Sequence, residues 1–308
     1  MAIFNSTDGL PNFNKAVLTI GTFDGVHLGH RTILEEVVKH ATETGGESIL
    51  ITFEPHPRKL LFPDKPIEIL TPLNEKLEQI TAIGIQHVVV VPFTHEFASQ
   101  SAAEYVRDFL VAKFHPASIV IGYDHHFGAD RKGNIQLLNE LKDEYGFEVV
   151  EINAQLIENA AVSSTKIRNA VKSGDVAFAA NMLNRHYSLK GTVIEGAKLG
   201  NTIGYPTANI KPLNAEQIIP GKGVYAVKVN VEGQTHTGML NIGVKPTVSE
   251  GNALSIEVNI FDFSENIYGK EIEVSFVARI RDEQMFEGVD ALKQQLGKDK
   301  ADALIILA

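Results

Sequence analysis

Up to about residue 155, short apolar runs alternate with segments whose apolar residues recur at helical spacing. The runs are 16–21, 48–53, 87–91, 118–122 and 147–152. Their near-continuous Val and Ile content predicts strands buried on both faces, as in a parallel sheet covered by helices. Helical patterns fall between and after them, at 29–43, 74–83, 100–114 and 134–145. In the first, Ile33, Leu34, Val37, Val38 and Ala41 form one apolar stripe. Two more helices are predicted at 164–173 and 175–184, with Gly174 as the break between them. After Arg185 the period becomes two, in segments 187–196, 224–232, 236–243, 254–263 and 271–281. Ile256, Val258 and Ile260 share one face of the fourth segment, while Glu257 and Asn259 share the other. That half predicts a small antiparallel β-barrel, finished by a helix near 288–297 and a shorter one near 299–306. The expected class is therefore α/β: a doubly wound parallel-sheet domain over 1–185, then a β-barrel domain over 186–308.

Composition narrows the chemistry. The chain has 308 residues, 44% hydrophobic and 21% charged, which suits two globular cores. No cysteine is present, so disulfides, thiolate nucleophiles and zinc–sulfur sites are excluded. The formal charge of −10 argues against a nucleic-acid partner and leaves small anionic substrates as the better fit. No apolar stretch is long enough for a membrane helix, and the first residues lack a signal-peptide pattern. A cytoplasmic protein without a membrane partner is expected.

The strongest local signal is Gly21-Thr22-Phe23-Asp24-Gly25-Val26-His27-Leu28-Gly29-His30, between the first predicted strand and the first helix. In a parallel sheet this is the carboxyl edge, where ligands bind. Gly25 and Gly29 allow a phosphate to approach the backbone, and the helix start supplies N–H groups and a positive dipole end. His27 and His30 share one face of the first turn. Their donors could grip a triphosphate, and hold it more tightly as charge builds on the phosphorus under attack. The same histidines could instead cap the helix or bind a metal with His125 and His126, although no tight ligand spacing supports the metal. A second signal, Val162-Ser163-Ser164-Thr165-Lys166-Ile167-Arg168, opens a later helix. Its hydroxyls cap the helix and leave an anion site, and Arg168 can clamp phosphate oxygens in a bidentate fork.

Together these two stretches resemble the HxGH and ISSTxIR-like marks of the cytidylyltransferase-like nucleotidyltransferases, with Val162 in place of Ile. The resemblance implies an ATP site formed by Gly21, Phe23, Asp24, Gly25, His27, Gly29 and His30 with Ser163, Ser164, Thr165 and Arg168. Two further strand ends, Pro55-His56-Pro57-Arg58 and Gly122 to Gly128 with Asp124 and Phe127, are candidates for the acceptor pocket. In the plainer reading Pro55 and Pro57 make a rigid turn and Phe127 is a core residue.

The second half opens with a glycine-rich stretch containing Gly191, Gly196, Lys198, Gly200 and Gly204, a flap able to wrap a nucleotide. A turn at Pro206-Thr207-Ala208-Asn209 would present a hydroxyl and an amide oxygen, hard ligands for Mg²⁺ carrying ATP phosphates. Glu257, on the polar face of its strand, could serve as general base toward a substrate hydroxyl. With Gly221-Lys222-Gly223-Val224-Tyr225, Asn241-Ile242-Gly243-Val244-Lys245-Pro246-Thr247, Phe261-Asp262-Phe263 and Tyr268-Gly269, these residues resemble riboflavin kinase. Over about 16–305 the joint pattern resembles the bacterial bifunctional riboflavin kinase/FMN adenylyltransferases, also called FAD synthetases. That resemblance implies Thr207 and Asn209 on Mg-ATP and Glu257 as the kinase base. It also implies Gly191, Gly196, Lys198, Gly200, Gly204, Tyr225, Asn241 and Gly243 around ATP and flavin, and Pro55, His56, Pro57, Arg58, Asp124 and Phe127 around FMN. Riboflavin, FMN and FAD are then substrate and product, with ATP as co-substrate. Asn201 departs from the pattern, since many members carry a basic residue there. Two other readings stay open: an adenylyltransferase for another phosphorylated acceptor, and a non-catalytic flavin or nucleotide sensor.

Overall fold

The computed structural model describes residues 2–65, 67–152, 163–196, 200, 203–244 and 254–308. The predicted Val162, Lys198, Asn201 and Lys245 to Thr247 lie outside the described residues. By packing, the chain forms two compact units: Met1–Ile67 with Thr71–Ser164, and Glu68–Leu70 with Thr165–Ala308.

Among the described residues the first unit is built on a parallel sheet in the order β1-β4-β3-β2-β5-β6. The strands are β1 (Ala2–Phe4), β2 (Val17–Ile20), β3 (Ser48–Glu54), β4 (His87–Pro92), β5 (Ser118–Gly122) and β6 (Glu148–Ile152). Alternation along the apolar runs splits them between two cores. Leu18, Ile20, Ile49, Ile51, Val89, Val91, Ile119 and Ile121 face one side. Val17, Leu50, Val88, Val90 and Val120 face the other, with Leu34, Val37 and Ala41 of α1 (Leu28–Thr44). Both faces are covered, which is why these strands read as continuous apolar runs. After β2 the chain moves outward through β3 and β4, then returns to place β5 on β2's opposite side. The carboxyl end of β2 is thus the topological switch point of the sheet. Helices α2 (Pro57–Leu61), α3 (Leu73–Ile83) and α4 (Ile135–Tyr145) belong to this unit, as does a short helix at His95–Ser99. With them goes a helical run of Ala102–Glu104, the π-helical Tyr105–Val111 and Ala112–Phe114. Strand β1 was absent from the predicted set because three residues are too few to display a period.

The second unit takes up α5 (Ser164–Ser173) from Thr165 onward and α6 (Val176–Leu183), broken at Gly174, whose φ of 83° suits glycine. A closed antiparallel barrel follows, in the order β10-β11-β8-β7-β12-β9. Its strands are β7 (Tyr187–Ile194), β8 (Ala208–Pro212), β9 (Gly223–Val231), β10 (Gln234–Val244), β11 (Leu254–Ile260) and β12 (Glu271–Arg281). Residues 68–70 join this unit through backbone bonds from the Ile69 N–H to the Glu216 carbonyl (2.8 Å) and from the Ile218 N–H to the Ile69 carbonyl (3.1 Å).

Two expectations need correction here. Ala208 and Asn209 lie in strand β8 rather than in a turn, because their backbone pairs with β11 and β7. The chain ends in one helix, α7 (Val289–Leu307), not two. Gly297 lies inside it, where a Cβ would stand 3.6 Å from the Tyr205 hydroxyl, an ordinary contact. Asp299 is fully buried and accepts two bonds from Arg281, from Nε at 2.9 Å and Nη2 at 2.8 Å.

Candidate active sites

In the first unit, the backbone leaving β2 turns back sharply before α1. Phe23, Gly25 and Val26 all have positive φ (47°, 90° and 40°). For an aromatic and a β-branched residue this conformation is costly and is characteristic of functional loops. His27 caps α1: its Nδ1 accepts from the His30 N–H at 3.3 Å. A neutral imidazole whose Nδ1 accepts must carry its proton on Nε2, so His27 keeps one N–H to donate. The two imidazoles stack with centroids 3.6 Å apart and planes 15° apart, and Phe23 packs on His30 at 5.0 Å. The capping and phosphate-gripping readings are therefore compatible, since they use different nitrogens. Gly29 is buried within the first turn of α1. Asp24, also buried, braces the loop: its Oδ1 accepts from the Thr71 N–H (3.1 Å) and its carbonyl from the Ser164 hydroxyl (3.0 Å). Among the described residues no group of three or more His, Asp and Glu side chains is placed to hold a metal ion.

The other strand ends reach the same edge. His56 caps α2 by accepting from the Arg58 N–H at 3.2 Å, with Pro57 in the first turn. Asp124 is exposed, and Phe127 is buried against Tyr105 at 5.3 Å. Between them, burial pushes the imidazole of His125 down to about 4, against the opposing pull of Asp124. Its Nε2 is buried without a hydrogen bond among the described residues.

In the second unit, strand register assembles the site. Asn241 of β10 and Asn209 of β8 each pair directly with Glu257 of β11. Three polar side chains thus form one row across three neighbouring strands. The Glu257 carboxylate accepts from the Ser255 hydroxyl (2.7 Å) and the Thr207 hydroxyl (3.4 Å). Asn259, two residues further along the same face, donates from Nδ2 to the Pro206 carbonyl at 2.6 Å and so fixes the segment carrying Thr207. A Cβ at Gly196 would collide with the Asn209 amide, one at Gly200 with the Tyr205 carbonyl, and one at Gly243 with the Glu283 carboxylate. At Gly200 the obstacle is backbone, so close approach requires glycine there, whereas at Gly196 and Gly243 the end of a side chain would have to move. Thr207, Asn209, Asn241 and Glu257 are all oxygen donors of the hard kind that suits Mg²⁺.

A FAD synthetase family model matches residues 10–166 and a riboflavin kinase model matches 183–307. A protein of Listeria monocytogenes named bifunctional riboflavin kinase/FMN adenylyltransferase is 40% identical over 98% of this chain and 96% of its own length. The chain belongs to the bifunctional riboflavin kinase/FMN adenylyltransferase family. Relatives of the same name from Bacillus subtilis (39% identical, 94% of this chain and 92% of the relative) and Escherichia coli (37%, 96% and 95%) agree. Membership accounts for the barrel, which an adenylyltransferase for some other acceptor would leave unassigned. A crystal structure described as a macrolide-efflux protein from Streptococcus pneumoniae shares the fold, with TM-score 0.86, 30% identity and 97% of each chain covered. Among the described residues no helix is long and apolar enough to cross a membrane, and efflux is not carried over to this family member.

Within the family frame, the motif residues divide by position. Gly21, Phe23, Asp24, Gly25, His27, Gly29 and His30 meet in one loop, and Ser164 is tied to it through Asp24. Ser163, exposed, precedes α5. Thr165 and Arg168 pack with the second unit, where Arg168 Nε donates to the Glu68 carbonyl at 3.1 Å. Gly191 lies inside β7, where a Cβ would strike Ile210, and Gly204 has φ 83° with open space around it. Tyr225 is fully buried, donates its hydroxyl to the Gly221 carbonyl, and is pushed up to about 12 by burial. It lies in the barrel core, edge-on to Phe276. Ser255 and Asn259 were not among the expected site residues, although Ser-x-Glu-x-Asn alternation places them beside Glu257. Lys76 was also missed. Its signal is a lysine on the apolar stripe Leu73, Lys76, Leu77, Ile80 of α3.

Proposed function

We propose that this chain makes both flavin coenzymes, with 186–308 phosphorylating riboflavin to FMN and 1–185 transferring the adenylyl group of ATP to FMN. The observation that carries this reading is that each family match contains its own polar constellation: the stacked His27 and His30 at a strand end, and the Asn241, Glu257, Asn209 row within the barrel. In the first reaction the terminal ribityl hydroxyl attacks the γ-phosphorus, Glu257 takes its proton, and ADP leaves. Two hydroxyls hold the Glu257 carboxylate, so the base is oriented before substrate arrives. Thr207 and Asn209 would hold Mg²⁺, which neutralises phosphate charge when bound.

In the second reaction a phosphate oxygen of FMN attacks the α-phosphorus of ATP and pyrophosphate departs. No protein nucleophile is needed; His27 and His30 donate to the phosphate oxygens while charge builds on phosphorus. Asp24 braces their loop, and Ser163 and Ser164 supply further donors. The strand-end segments around His56 and Asp124 form the flavin side. The partners are small molecules, and the reactions belong to the cytoplasm, where ATP and free flavin are available. Purified protein given riboflavin, ATP and Mg²⁺ is expected to form FMN first and FAD second on chromatography. Failure to form FMN from riboflavin would remove the barrel reading, and FMN without FAD would remove the first.

A further inference from the structure

Lys76 is an ammonium group placed where packing alone would favour a hydrocarbon. It lies on the buried face of α3 between Leu73 and Leu77, with 6% of its surface exposed. Its Nζ donates to the Thr22 carbonyl at 3.0 Å and to the Thr52 hydroxyl at 3.1 Å. The Thr52 hydroxyl in turn donates to the same Thr22 carbonyl at 3.3 Å. Both acceptors of the ammonium are neutral. A buried cation without an ion-pair partner is expensive, and an apolar side chain of similar volume is often no worse for stability. Burial accordingly lowers the lysine's affinity for its proton, and Asp24 and Glu54 oppose that from a distance.

What the ammonium grips is informative. Thr22 is the second residue of the strained loop that ends in His27. The trans peptide joining Thr22 to Phe23 points its carbonyl and its N–H in opposite directions. Holding the Thr22 carbonyl toward Lys76 therefore aims the Phe23 N–H away from Lys76, and that N–H pairs with no acceptor among the described residues. The start of the same segment holds the residue after Phe23: the Thr71 N–H donates to Asp24 Oδ1 at 3.1 Å. The stretch from Thr71 to Lys76 thus fastens the loop on both sides of Phe23, at Thr22 and at Asp24.

We propose that Lys76 is a positioning residue for adenylyl transfer, clamping the Thr22 carbonyl so that the Phe23 N–H is offered to the ATP phosphates. This rests on the reading of the loop from Gly21 to His30 as the ATP site. A donor aimed in this way acts most strongly when charge develops on the phosphates, so its loss lowers kcat more than it raises the KM for FMN. A lysine serving only the fold would lower the unfolding temperature and leave kcat per folded molecule intact.

The test uses the full-length protein with FMN and ATP, comparing Lys76→Met, Thr52→Val and His30→Ala, with riboflavin phosphorylation followed in the same samples. Lys76→Met is expected to lose about 10²-fold in kcat for FAD formation, with the KM for FMN within about threefold and kinase turnover unchanged. Adenylyl transfer within threefold of the parent in Lys76→Met, beside a large loss in His30→Ala, overturns the role of Lys76 and leaves the site reading standing. Parent activity in both variants overturns the site reading itself. If Lys76→Met does not fold, Thr52→Val decides: a loss of about fivefold or more in kcat supports the clamp, and a parent rate overturns it.

Discussion

The two units place their candidate reactive groups in opposite ways. In the parallel-sheet unit the groups sit on a loop beyond the end of a strand, held by a helix cap, positive backbone angles and a buried lysine. In the barrel they sit within strands, and pairing register sets their spacing. A strand-end site can be rebuilt by changing a few consecutive residues. The barrel row depends on residues 16 and 48 positions apart, Asn241 and Asn209 against Glu257, and is fixed only when the strands pair. Loop geometry should thus govern FAD formation, while close packing around a pre-set row governs FMN formation.

The largest effect that would break this contrast is on Glu257. Glu257→Ala should lower riboflavin phosphorylation by about 10³-fold, the scale of a lost general base, while FMN fed directly is still converted to FAD at the parent rate. Equal loss of both reactions in a two-substrate assay would show that the sites are not independent. The converse variant, His30→Ala, should leave FMN formation intact and reduce FAD formation on the order of 10²-fold. An unchanged FAD yield in that assay would take His30 out of the site. Gly196→Ala sharpens the barrel half. The added methyl must displace the Asn209 amide, so kinase turnover should fall about tenfold with a raised KM for ATP, and FAD formation from FMN should not change.

The smallest expected effect concerns acid stability of the first unit. His125 is held neutral in the fold at about 4, against 6.5 for an ordinary histidine. Between those values the unfolded chain takes up a proton that the folded one refuses, so stability falls as pH drops from 6.5 toward 4 and is unaffected by His125 above that window. His125→Phe should flatten this part of the pH dependence of unfolding. An unaltered slope would mean that the ring is not enclosed as described.

Much of this architecture was legible in sequence, for identifiable reasons. Strands buried on both faces declare themselves as runs such as 48–53, and α1 declares itself by its stripe. The His27 to His30 motif is contiguous, so its position between strand and helix could be read directly. Glu257 could be picked out only by resemblance and alternation, since its pairing with Asn241 and Asn209 exists only in the folded register. Strand β8 was hidden by Pro212 and by the turn-like look of Pro206 to Asn209. The last helix was expected as two, and the pairing of Asp299 with Arg281 of β12, made from the middle of the single helix, exists only in the folded chain. Lys76 was hidden for the same kind of reason: its partners, Thr22 and Thr52, come from other elements.

The most direct measurement is a crystal structure of the full chain with a non-hydrolysable ATP analogue and FMN. The account predicts the triphosphate against the loop from Gly21 to His30, with imidazole nitrogens of His27 and His30 and the Phe23 N–H within hydrogen-bond distance of its oxygens. A nucleotide bound in the first unit with its phosphates away from that loop would contradict it.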